Sequence, residues 1–113
     1  MKYLITESQR DNVIFRYLDK QNFNIVERGA SIYFVHSDDD GFARIKYGGK
    51  HGNNELCFIY VELIKEISSF FSLEDYKSES IIGQWVKKQL NLKGRMYNNV
   101  LRSEWSLKIP TEY

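Results

Sequence analysis

The apolar positions change period along the chain, and each change marks an element. Val13, Ile14, Tyr17 and Leu18 recur at helical spacing, with Arg10, Asp11, Arg16, Asp19 and Lys20 mainly on the other side. That pattern predicts a helix over about residues 7–20. Thr6-Glu7-Ser8-Gln9 ahead of it has the form of a capping box, and Leu4 and Ile5 stand where a hydrophobic staple would.

From Asn22 the period shortens. Phe23-Asn24-Ile25-Val26-Glu27 has β character, Arg28-Gly29-Ala30 can turn, and Ser31 to His36 reads as a strong strand. Ser37-Asp38-Asp39-Asp40-Gly41 is turn chemistry. Phe42 to Tyr47 alternates as a strand, with Ala43, Ile45 and Tyr47 on one face. Gly48 to Asn54 reads as a flexible loop, and Glu55 to Val61 is the most apolar strand, expected to be central or covered on both faces. Short loops between such strands predict an antiparallel meander of three to four strands.

Val61 to Phe71 returns to helical spacing, with a stripe of Leu63, Ile64, Ile67, Phe70 and Phe71. Ser72-Leu73-Glu74-Asp75 is a weaker capping signature, with Ser78 and Ser80 as other caps for the next helix. Ile81, Ile82, Trp85, Val86 and Leu90 mark that helix over about 76–90, and Gly94 fits a helix C-terminus behind Lys87, Lys88 and Lys93. From Arg95 the chain reads as extended; Trp105, Leu107 and Ile109 alternate with Ser106 and Lys108 as a final strand until Pro110. The fold class is therefore α+β: an N-terminal helix, an antiparallel three- to four-stranded meander, two helices and a C-terminal strand. All of it forms one domain over residues 1–113.

Composition sharpens this picture. Hydrophobic residues at 42%, aromatics at 15% and a single proline argue against disorder. A net charge of +1 excludes a strongly basic nucleic-acid coat or an acidic mimic. The neutrality hides an asymmetry, since residues 61–80 carry five acids against two lysines and residues 81–113 carry six basic residues against two acids. No stretch reaches the roughly 18–20 apolar residues of a membrane helix, and Glu7 interrupts the start before a signal-like region forms. Cys57, the only cysteine, lies in an apolar run and reads as a core thiol. A soluble protein of a reducing compartment is expected.

Catalytic constellations do not assemble from these residues. His36 ends one strand and His51 lies beyond the next, so a strand of about 20 Å would separate them, too far to share a metal or a proton. Asp38-Asp39-Asp40-Gly41 lacks the alternate ligand spacing and closing Glu of a calcium loop. Gly48-Gly49-Lys50-His51-Gly52 lacks both the phosphate-loop pattern and a helix directly after it. The expectation is a protein with no catalytic residue, no metal, no cofactor and no enzymatic activity.

Two kinds of surface remain. Helix, three strands, helix is the element order of the double-stranded-RNA-binding domain, and Arg44, Lys46, Lys50, Lys87, Lys88 and Arg95 are candidate phosphate contacts. Against that order, Glu62-Leu63-Ile64-Lys65-Glu66 is acidic where that domain places lysines. The aromatic surplus points instead to a protein interface, with Tyr33, Phe42, Tyr47, Tyr97 and Trp105 as its candidates. That partner is the chain itself, a virion protein or a host protein.

Lys2-Tyr3-Leu4-Ile5-Thr6-Glu7-Ser8-Gln9, together with Val13-Ile14-Phe15-Arg16-Tyr17-Leu18-Asp19, resembles the opening of small proteins of tailed phages and environmental viral genomes. Phe58 to Glu74, Gln84-Trp85-Val86 and Leu107-Lys108-Ile109-Pro110 also look like them, so the resemblance covers about half the chain in short pieces. It brings no activity, cofactor or site residue. It implies a virus-encoded protein located in the host cytoplasm or the virion, in keeping with an alanine-poor composition rich in Ile, Lys, Asn, Tyr, Phe and Ser. The expected function is a non-enzymatic interaction protein of phage type, either a minor virion component or a host-protein-binding factor. The alternative is a small nucleic-acid-binding accessory protein using the basic strand, its loop and the basic C-terminal third.

Overall fold

A computed structural model describes residues 6–36 and 41–110. The Thr6 hydroxyl accepts the Gln9 N–H at 3.1 Å and the Gln9 side chain accepts the Thr6 N–H at 3.0 Å, so the capping box is closed at the start of α1 (Glu7–Asp19). Leu4 and Ile5, the expected staple, lie outside the described residues, as does the acidic turn 37–40. The strands β1 (Asn24–Arg28), β2 (Ser31–Val35), β3 (Ala43–His51) and β4 (Asn54–Tyr60) come next as an antiparallel meander. β4 runs without a loop into α2 (Val61–Phe71), and α3 (Asp75–Gln89) leads to β5 (Arg95–Leu101). The architecture is α+β.

Several expectations need correction. The sheet has five strands in the order β1-β2-β3-β4-β5, and it is mixed, because β5 pairs parallel to β4. A parallel neighbour needs a long crossover, and α2 with α3 supplies it. The last strand is 95–101 and not the alternating stretch 105–109, where Glu104–Leu107 forms a 3-10 turn capped by the Ser103 hydroxyl and Lys108 makes one isolated bridge to Phe42. The stretch expected as a loop from Gly48 is mostly strand. β3 continues to His51 because an irregularity between Tyr47 and Gly49 absorbs an extra residue, leaving a two-residue turn before Asn54. Ser72 does not cap α3; it ends α2 in the left-handed conformation at φ +55, and Glu74 precedes α3 without a side-chain cap. Gly94 ends no helix: its amide donates to Glu55 Oε2 at 2.8 Å, and a Cβ there would meet the Asn53 carbonyl at 2.8 Å.

The three helices lie on one face of the sheet, since Ile14, Leu18, Leu63, Ile64, Ile67, Ile82, Trp85 and Val86 share one core with Phe34, Ile45, Cys57 and Ile59. Polar links fix the helices to each other: Trp85 Nε1 donates to Asp19 Oδ1 at 2.9 Å, and Ser68 and Ser78 hydroxyls pair at 2.8 Å in the buried α2–α3 contact. The opposite face is half covered. There Leu107 and Ile109 from the C-terminal segment pack on Tyr33, Val35 and Ala43. Ala43 reaches that side because the β2–β3 register shifts between Phe34 and Val35, so Ala43 and Ile45 do not share a face as simple alternation predicts.

Candidate interaction surfaces

Two helices meet at the edge of the helix layer and leave apolar surface uncovered. On α1 and its C-cap, Val13, Arg16, Tyr17 and Lys20 follow the i, i+3, i+4, i+7 rule and line one side of a groove of about 250 Å³. On α2, Phe70 and Phe71 line the other. The Tyr17 ring lies 5.3 Å from Phe70 and 5.5 Å from Phe71, and those two rings are 5.0 Å apart, within the range of attractive aromatic pairs. Tyr17 is held in place by its hydroxyl, which donates to Glu66 Oε2 at 2.6 Å. Burial, then that bond, pushes the phenol up to about 12. Phe70 remains 68% exposed and Val13 45% exposed. Arg16 and Lys20 stand exposed on the rim, while the Glu66 carboxylate is engaged by Tyr17. The result is an aromatic floor with a cationic edge.

None of these groove residues was among the candidate interface positions of the sequence, which the structure scatters. Tyr33 is buried beneath the C-terminal segment, and Tyr47 is turned under the helices with its hydroxyl on Glu55 Oε1 at 2.6 Å. Phe42 meets Trp105 edge-on at 5.1 Å, and Trp105 is 67% exposed with Lys108 over its ring. Tyr97 projects from β5, mostly exposed. Phe70 was legible only as part of an apolar stripe; the stripe is wider than the sheet beneath α2 can cover.

The basic candidates also separate. Lys50 and Arg95 share one end of the sheet but project from opposite faces, Lys50 paired with Glu55 on the helix side and Arg95 with Asn54 on the outward side. Lys46 sits on the outward face between the rings of Tyr33 and Phe58. Arg44 lies at the register shift opposite Val35, at the other end of the strand. Lys87 and Lys88 belong to the last turn of α3, on the helix side, with Lys88 over the Phe15 ring.

Reactive groups are engaged in structure. The Cys57 thiol is fully buried, and burial pushes it up to about 12, which leaves it protonated and unreactive at neutral pH. Glu55 is buried at 3% exposure, and its carboxyl is lowered from the ordinary value first by the Tyr47 hydroxyl and then by the Gly94 amide. His36 comes directly after β2, near the start of β3, and His51 ends β3, so the histidines stand at opposite ends of the sheet. Among the described residues no group of three or more His, Cys, Asp or Glu could hold a metal ion, and no helix is long and apolar enough to cross a membrane. Comparison with protein-family models, with curated proteins and with solved structures finds no match to this chain.

Proposed function

We propose that this chain is a non-enzymatic protein-binding module that captures its partner in the α1–α2 groove. One observation carries the reading: Phe70, 68% exposed, stands in a cluster with Tyr17 and Phe71. An aromatic side chain left in water forgoes burial worth roughly 2–3 kcal/mol, and a desolvated aromatic anchor is the usual centre of an interface. Arg16 and Lys20 on the rim select the occupant. It is a protein segment that offers an apolar anchor next to acidic residues, because like charges at the rim would repel a basic one. The phage-like wording of the sequence supports a partner in the virion or among host cytoplasmic proteins.

The test is affinity capture with the purified chain and its Phe70→Ser variant. A partner retained by the native chain and lost by the variant supports the proposal, provided both chains unfold at the same urea concentration. Equal retention by both would refute it.

A further inference from the structure

The outward face of the sheet has a chemistry that the groove does not share. Strand alternation and register place Arg28, Lys46, His51 and Arg95 on that face. The acidic strand residues, Glu27 and Glu55, both fall on the helix side. An otherwise neutral protein thus presents a sheet surface where, among the described residues, the ionisable strand side chains besides tyrosines are all basic.

Aromatic rings stand among these basic residues. Phe58 is half-buried: it packs against the cluster of Tyr33, Val35 and Leu107, and its ring lies against the backbone at Gly48, where an added Cβ would come within 2.7 Å of it. Lys46 Nζ sits 5.6 Å from the same ring. Tyr97 on the neighbouring strand is 55% exposed, with its cross-strand partner Leu56 half-buried beside it. Tyr97 is two residues before Asn99, the partner of Phe58, so the two aromatic positions are diagonal neighbours roughly 8 Å apart from strand spacing and rise. The C-terminal segment covers Tyr33, Val35 and Ala43 but leaves Tyr97 and Arg95 open.

We propose that this half of the sheet binds single-stranded nucleic acid, with Tyr97 as the stacking surface, Phe58 as its apolar neighbour, and Lys46 and Arg95 as phosphate contacts. Stacking on aromatic faces with cations tracking the backbone is how strands are held without sequence readout. The positive face meets the polyanion, whereas a protein partner would have to be uniformly acidic to match it. A duplex is a poor occupant because its bases are already stacked and cannot reach Tyr97. This surface is separate from the α1–α2 groove, and its occupation does not depend on that groove.

Fluorescence anisotropy with labelled oligo-dT, oligo-U and a duplex of equal length tests the proposal. The native chain should bind both single strands at low salt and the duplex more weakly. The slope of log K against log salt should be about −1.4 for two phosphate contacts. Tyr97→Ala should weaken binding between about five- and 100-fold, Tyr97→Phe should stay within about twofold, and Arg95→Glu should weaken binding and flatten the salt slope. Phe70→Ser should bind as the native chain does, which separates this surface from the groove. Absence of binding at low salt, equal binding of duplex, or an unaltered Tyr97→Ala variant would each overturn the proposal. Tyr97 and Arg95 are exposed, so these variants are expected to fold, and their urea midpoints verify it.

Discussion

The phenolic hydroxyl of Tyr47 donates to Glu55 Oε1 at 2.6 Å, below the helix layer at the end of the sheet where β5 begins. The other carboxylate oxygen accepts the Gly94 amide at 2.8 Å. Glu55 thereby ties β3 and β4 to the entry of the parallel strand. Glu55→Ala leaves both donors without a partner, and should cost about 2–4 kcal/mol in urea unfolding. Glu55→Gln should cost less, because its amide oxygen still satisfies one donor. Unchanged stability of Glu55→Ala would show that the carboxylate holds nothing together.

The same group sets an acid limit. Its folded-state pKa lies below the ordinary carboxylate value, chiefly through the Tyr47 hydroxyl. Its contribution is therefore present above the ordinary value and lost as pH falls through the lower, folded one. Tyr17 and Tyr47 act in the opposite sense. Burial first, then the bonds to Glu66 and Glu55, raise both phenols from 10.0 to about 12. Their contribution is complete below pH 10 and lost as pH rises to about 12. Urea midpoints measured across both ranges should fall at each end, and Tyr47→Phe should reduce both falls.

The C-terminal segment yields a pair of contrary expectations. Leu107 is fully buried against the outward sheet face, whereas Trp105, the larger side chain two residues earlier, is 67% exposed. Leu107→Ala should cost about 2–4 kcal/mol and raise the exposure of Tyr33. Trp105→Ala should stay within about 1 kcal/mol, since most of its ring is already in water. Equilibrium unfolding of the two variants checks this; the reverse order would mean that the segment does not cover the sheet.

Much of the fold was legible because local chemistry and tertiary need agree. Thr6 and Gln9 cap α1, and Leu63, Ile64 and Ile67 of α2 and Ile81, Ile82, Trp85 and Val86 of α3 are buried where the periodicity puts them, whereas Phe70, on the same stripe, is exposed. The C-terminal strand was misplaced for a physical reason: alternation reports burial on one side, and Leu107 and Ile109 are indeed buried, but by packing on a sheet rather than by joining it. The true strand carries Asn98 and Asn99 at its centre, one on each face, so its alternation is weak. Glycines at 48 and 49 read as a loop because their use in a strand irregularity depends on the partner strand. The α1–α2 groove was hidden for the same reason, since a helical stripe does not say how much of itself the neighbouring layer covers.

Site-specific photocrosslinking tests the proposed function most directly. A photoreactive phenylalanine analogue would replace Phe70 in the groove and, as the control, Gln84 on the exposed side of α3. In lysate, position 70 is predicted to give a discrete protein adduct that excess native chain competes away, and position 84 is predicted to give none. No adduct from position 70, or the same adduct from both positions, would contradict the assignment of the groove as a protein-binding site.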